Sequence, residues 1–103
     1  MFSKRSRYFQ AQDPGTGEEY LELRFHQPIK AGRVKIYPLD DSLCDYTIEA
    51  EINGQWQVVA RAEDASGAIH EHGFPPVRTN AVRLNATRSR KALAIIEFEV
   101  YEK

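Results

Sequence analysis

The chain has 103 residues, a formal net charge of −1 at pH 7 and an isoelectric point near 6.3. A nucleic-acid binder normally carries a strong basic excess, so no nucleic-acid partner is expected. A chain of this length forms one domain, residues 1–103, with little room for a deep enclosed pocket, and its function is expected at loops or edges.

The amino terminus and the cysteine content exclude further classes. Residues 1–10 are basic but precede no long apolar run, so they do not resemble a secretory signal peptide, and no stretch approaches membrane-spanning length. Cys44 is the only cysteine, which excludes an intrachain disulfide and a cysteine-rich metal site. The chain is therefore expected to be either intracellular or a module of a longer secreted protein.

Short segments of alternating apolar and polar residues follow residue 19. In "YLELRF" (20–25), Leu21, Leu23 and Phe25 share one face, which is the period of a half-buried strand. Glycine, proline and short polar residues separate the segments, and no helical period is sustained. The pattern predicts an all-β antiparallel sandwich with strands at 20–25, 33–37, 45–52, 55–60, 68–74, 81–87 and 93–101. The predicted core is Leu21, Leu23, Phe25, Val34, Ile36, Ile48, Val82, Leu84, Ile96, Phe98 and Val100.

The segment "DYTIEAEINGQWQVVA" (45–60) is the strongest hairpin signal in the chain. Asn53 and Gly54 can both adopt the positive φ that a type I′ turn requires. The resulting register places Trp56 and Val58 on the same face as acidic residues. We therefore expect a β-bulge near Gln55 that turns Trp56 and Val58 inward, the alternative being that another segment covers Trp56.

If successive strands are antiparallel, their connections alternate between two ends of the sandwich. The segments 38–45, 62–67 and 87–92 meet at one end, here called the loop end. The segments 26–32 and 74–80 and the Asn53–Gly54 turn meet at the other, here called the turn end. Loops held by rigid sheets commonly carry function, so a site is expected at the loop end.

The order of these segments resembles the coagulation factor V/VIII type C, or discoidin-like, family of the galactose-binding-like jelly rolls. The counterparts are "YLELRF" with "RVKIY", the "DYTIE" strand with its Trp-x-x-Val partner, the "FPPV…VRL" unit and the closing "EFEVY", over about residues 18–102. The resemblance implies a jelly-roll sandwich and a non-catalytic binding module, commonly for glycans and sometimes for lipid head groups or proteins. Residues 1–19 are shorter than the family's usual amino-terminal segment, which often binds calcium, so we predict an arm there and no metal or cofactor.

Charged residues at the loop end are the candidate ligand contacts. Asp40, Asp41 and Asp45 can accept hydrogen bonds from sugar hydroxyls, although Asp40 and Asp41 can equally shape a solvated turn. Arg88 and Arg90 can donate to an acidic glycan, the alternative being a solvated loop that balances nearby acids.

Tyr8 at the edge of this end can stack on the apolar face of a sugar. A site that pairs Asp40 and Asp41 with Arg88 and Arg90 suits a neutral or singly acidic sugar better than a polyanion.

Two histidines, His70 and His72, lie on one face of a predicted strand. A metal would need a third ligand, and ordinary strand histidines are the favoured interpretation. No nucleophile elbow, phosphate-binding loop or catalytic cysteine motif is present, so no enzyme is expected. We predict a carbohydrate-binding accessory module attached to a larger protein. The alternative is a structural or protein-docking sandwich whose partner is a neighbouring domain.

Overall fold

The computed structural model describes residues 3–4, 19–38, 43–65, 67, 69–89 and 95–102. The strands are β1 (Ser3–Lys4), β2 (Glu19–Pro38), β3 (Leu43–Ile52), β4 (Gln55–Ala62), β5 (His70–Ser89) and β6 (Ile95–Glu102). These residues form no helix, as the sequence pattern predicted. A search of the same residues for a long apolar helix able to cross a membrane found none.

The two long strands β2 and β5 bend sharply at their middle. Each has 20 residues, which would extend about 65 Å at a rise of about 3.3 Å per residue. The longest dimension of the molecule is only 33 Å. The β2–β5 ladder shifts register between Arg24 and Ile29 and again between Ala31 and Arg33. Such β-bulges bend a strand, and they account for the change of direction. The segments 26–32 and 74–80, predicted to be loops, are therefore bends within continuous strands.

The bends create two layers. The strand order is β1-β6-β2-β5-β3-β4. The first half of β2 and the second half of β5 form the first layer with β3 and β4, where Leu84 is opposite both Leu21 and Ile48. The other halves form the second layer with β6 and β1, where Ile36 is opposite both His70 and Phe98. The predicted antiparallel sandwich is confirmed.

The core lies between these layers. Every predicted core side chain in the described set is buried, whereas the side chain of Ile96 lies outside that set. The bends add further core residues, since Ile29, Ala31 and Phe74 are also buried. Their burial explains why 26–32 and 74–80 are ordered strand segments, because apolar side chains at the bend close the turn end of the core.

The β3–β4 hairpin has the predicted turn but a different bulge. Asn53 and Gly54 both have positive φ, 53° and 80°, and Ile52 is opposite Gln55. The register shift falls between Ile48 and Glu49, opposite Val59 rather than near Gln55.

The bulge therefore directs Val59, Ala60 and Ala62, not Trp56 and Val58, toward the core. Trp56 stays on the outer face, where the guanidinium of Arg83 lies 4.2 Å from its ring centre, and Val58 remains 47% exposed. The expectation that a bulge turns Trp56 inward was wrong, and Trp56 is half-buried beside the Arg83 side chain of β5.

Candidate functional site

Strand ends from both layers converge at the loop end. Tyr46 in β3 is opposite Ala62 of β4 and Ala86 of β5. The backbone amide of Ala65 donates a hydrogen bond of 2.9 Å to the carbonyl of Cys44. The residues after β4 therefore lie against the start of β3, beside the end of β5.

An ionic network joins the three chain segments there. The Nε atom of Arg88 lies 2.9 Å from Oδ2 of Asp45, and one terminal nitrogen lies 3.2 Å from Oδ1 of Asp45 and 3.3 Å from Oδ1 of Asp64. The backbone amide of Asp64 donates to Oδ1 of Asp45 at 2.7 Å. Asp45 thus accepts hydrogen bonds from two neighbouring segments through its two oxygens.

These contacts favour the charged forms of Asp45 and Arg88. Hydrogen bonds from the Arg88 side chain, and then from the Asp64 amide, lower the pKa of Asp45 below its usual value. The same carboxylate raises the pKa of Arg88. The side chains of Arg88 and Asp64 are 58% and 83% exposed, so water screens the pairing and it contributes little to global stability. Its effect is to orient Arg88 toward the segment that contains Asp64.

The structure brings together Asp45 and Arg88 from the predicted set and adds Asp64. Asp64 has a φ of 55°, a conformation that aspartate adopts more readily than most residues. The sequence did indicate that Asp64 lies at the loop end, since "AEDASG" is a turn-rich stretch there. Nothing in the pattern indicated that Asp64 would bind the same guanidinium as Asp45.

The remaining predicted contacts lie outside the described residues. They are Tyr8, Asp40, Asp41 and Arg90. Leu43 at the start of β3 is opposite Ser89 at the end of β5. These two described strand ends therefore lie side by side at the loop end.

A buried polar cluster lies just below this network. The hydroxyl of Tyr46 is within hydrogen-bond distance of Nδ1 of His70, at 3.0 Å, and of Nε2 of His72. The Nε2 atom of His70 lies 3.2 Å from the carbonyl of Gly67. A carbonyl only accepts, so neutral His70 donates from Nε2, and its Nδ1 accepts from Tyr46. The Tyr46 oxygen then accepts from Nε2 of His72.

The same cluster bears on the metal interpretation of the two histidines. They do point the same way, but they converge on the Tyr46 phenol. Burial raises the pKa of Tyr46 to about 12, which disfavours a metal-binding phenolate. Among the described residues no group of three histidine, cysteine or acidic side chains is arranged to hold a metal ion.

Comparison with known proteins gives structural matches. No protein-family model and no curated protein sequence matches the chain. Chitosan-binding module 1 of a chitosanase/glucanase from Paenibacillus sp. IK-5 matches with a TM-score of 0.77 and 22% identity, over 88% of this chain and 74% of that one. The family 32 carbohydrate-binding module of EndoD from Streptococcus pneumoniae matches with a TM-score of 0.74 and 15% identity, over 90% and 75%.

A third match is part of a longer protein. A chain assigned as an alpha-L-fucosidase from Bacteroides thetaiotaomicron matches with a TM-score of 0.71 and 26% identity, over 95% of this chain but only 22% of that one. The chain therefore has the discoidin-like, galactose-binding-like jelly-roll fold that carbohydrate-binding modules have. The family resemblance drawn from the segment order is confirmed at the level of fold.

Proposed function

We propose that residues 1–103 act as one non-catalytic carbohydrate-binding module that uses its loop end. The observation that carries this proposal is the match of nearly the whole chain to separate carbohydrate-binding modules, with TM-scores of 0.74 and 0.77. Fold alone does not assign function. The loop end supports the assignment because it presents acceptors and donors side by side on ordered strand ends.

Within this site the described residues have different roles. Asp45 is the positioning residue, since its two oxygens are occupied by Arg88 and by the Asp64 amide. Arg88 and Asp64 are the more exposed members and can contact a ligand. We place Asp40, Asp41 and Arg90 beside them and Tyr8 at the edge. A charged group that binds a hydroxyl makes a stronger bond than a neutral group does. This set therefore suits a neutral or singly acidic sugar and requires no cofactor.

The test is a screen of the purified protein on immobilised glycans that include chitosan oligosaccharides, followed by calorimetric titration of the sugars that bind. We expect saturable binding that free sugar competes away. Asp41→Ala and Arg90→Ala should each weaken it by about 1 to 3 kcal/mol, the usual cost of losing one partner of a charge-assisted bond. His26→Ala, at an exposed residue in the bend of β2 at the turn end, is the matched control and should leave binding of that sugar unchanged.

Two outcomes would contradict this assignment. Silence across the whole array would rule out carbohydrate as the ligand class. Loss of binding of that sugar in Arg78→Ala, with Asp41→Ala and Arg90→Ala unchanged, would place the sugar at the turn end and not at the loop end.

A protein-docking role is the second candidate. It is favoured by the match in which the same fold forms 22% of a longer, enzyme-assigned chain, because a domain inside a larger protein can serve to pack on its neighbour. Silence of the glycan screen together with tight binding to a neighbouring domain of a parent protein would favour this role over sugar binding.

A further inference from the structure

An open pocket of about 520 Å³ lies at the turn end of the sandwich. Its walls are the β3–β4 turn (51–54), the bend of β5 (77–80) and Pro28 from the bend of β2. The volume falls within the roughly 300–1,000 Å³ of typical small-molecule sites. The pocket lies at the opposite end from the Asp45–Arg88 network and shares no residue with it.

The walls of this pocket are held in place by the backbone. Thr79 is only 3% exposed, and its hydroxyl lies 2.7 Å from the carbonyl of Glu51 and accepts from the amide of Ala81 at 3.1 Å. This side chain ties the bend of β5 to the end of β3. Together with the tight Asn53–Gly54 turn, it gives the pocket a preformed shape, which lowers the entropy cost of binding.

The lining combines an apolar surface with free polar groups. Ile52 and Val77 are half-buried and pack against the core. Asn53 and Asn80 are exposed, and within the described residues neither amide side chain takes part in a hydrogen bond. An apolar patch with amides at its rim matches a sugar ring, which has one C–H face and a perimeter of hydroxyls.

The unpaired charge at the pocket is positive. Both oxygens of Glu51 bond to Arg24, at 3.2 and 3.3 Å, and Arg24 also pairs with Glu22. Arg78 forms no ion pair with any described residue, and it stands directly opposite Lys30 in the β2–β5 ladder. Like charges placed directly opposite each other are unfavourable, and an anion bound beside them would relieve the repulsion. Glu102 of β6 is opposite Ala31 on the other flank of β2.

We propose that this pocket is a second binding site, selective for a sugar that carries one carboxylate, namely a hexuronate unit. Arg78 binds the carboxylate through its planar fork, with Lys30 adding positive charge. Asn53 and Asn80 bind ring hydroxyls, while Ile52 and Val77 contact the C–H face. This site does not depend on the function proposed for the loop end.

The test is a titration of the isotope-labelled protein with galacturonate oligosaccharides, followed by amide chemical shifts. We expect saturable shifts confined to residues 51–54 and 77–80. Arg78→Gln should weaken binding about tenfold or more, as expected for loss of a charge-assisted bond, and the uncharged galactose oligosaccharides should bind correspondingly less well. Arg61→Gln, an exposed arginine on β4 outside the pocket, should bind like the wild type.

Three results would each overturn the proposal. They are the absence of saturable shifts, equal binding by Arg78→Gln and wild type, and shifts centred on Asp45, Asp64 and Arg88 instead. The amide spectrum of each variant also reports whether the fold is intact, so a loss of binding can be assigned to the pocket.

Discussion

Tyr46 joins the two layers of the sandwich through one hydroxyl group. Its ring is 1% exposed in the first layer, and its oxygen bonds to His70 and His72 of the second layer. Removing this oxygen would leave the Nδ1 atom of buried His70 and the Nε2 atom of half-buried His72 without this partner. An unsatisfied buried polar group costs more than the net value of the bond.

Tyr46→Phe should lower the free energy of unfolding by about 1 to 3 kcal/mol, measured by urea denaturation. Tyr20→Phe is the control, because Tyr20 is only half-buried and its hydroxyl bonds to no described residue. Equal stabilities of the two variants would show that the Tyr46 hydroxyl is not part of the stabilising network.

The same cluster predicts how stability depends on pH. Burial, and then the neighbouring His70, lower the pKa of His72 below its ordinary 6.5. At pH values below about 6.5 the unfolded chain therefore binds more protons than the folded protein does, and stability falls as the pH falls through this value. The groups that face His72 in this cluster are Tyr46 and His70, and neither carries a compensating negative charge.

The measurement is the thermal midpoint between pH 7.5 and 5 (roughly one unit above and one and a half units below an unperturbed histidine pKa). We expect a steeper loss of stability for the wild type than for His72→Gln. His26→Gln, at an exposed histidine in the bend of β2, should keep the slope of the wild type. An unchanged slope in His72→Gln would assign the pH dependence to other groups.

At the scale of elements, the β3–β4 hairpin depends on two residues with positive φ. An added Cβ at Gly54 would meet no atom within 4 Å, but φ there is +80°. Any cost of substitution therefore comes from the backbone and not from a clash. Gly73 in β5 also has open space around it, without a positive φ, which makes it a matched control.

Gly54→Ala should destabilise the protein by about 1 to 2 kcal/mol, the penalty for a side chain in the left-handed region. Gly73→Ala should change stability by no more than about 0.5 kcal/mol. Urea denaturation of both variants checks this expectation, and equal effects would mean that the turn relaxes to another conformation at little cost.

At the scale of the whole molecule, β2 and β5 contribute to both layers. Because each layer pairs with a half of the same two strands, disrupting these strands in one layer also disrupts the hydrogen-bonded pairing of the other. The two layers should therefore unfold as one cooperative unit, the behaviour usual for small single domains.

Trp56, the only tryptophan, reports on the first layer through its fluorescence, and far-ultraviolet dichroism reports on both. The two signals should give coincident urea transitions. A separate dichroism transition without a change in fluorescence would show that the second layer unfolds on its own.

Several features of this protein follow from local sequence. The alternation of Leu21, Leu23 and Phe25 identifies a half-buried strand, because side chains on a strand alternate between its faces. The Asn53–Gly54 pair identifies the turn of the β3–β4 hairpin, because asparagine and glycine tolerate the positive φ that this turn requires. The order of such segments was enough to predict the jelly-roll sandwich and the convergence of Asp45 and Arg88 at one end.

Other features were decided only by the tertiary structure. The bends in 26–32 and 74–80 depend on burying Ile29 and Phe74 against distant strands, and the shift of the bulge to Val59 depends on which side chains the core accepts. The Asp64 contact, the Tyr46–histidine cluster and the pocket beside Arg78 each join segments far apart in sequence. Composition and periodicity describe the neighbours of a residue along the chain, whereas these sites are made by neighbours in space.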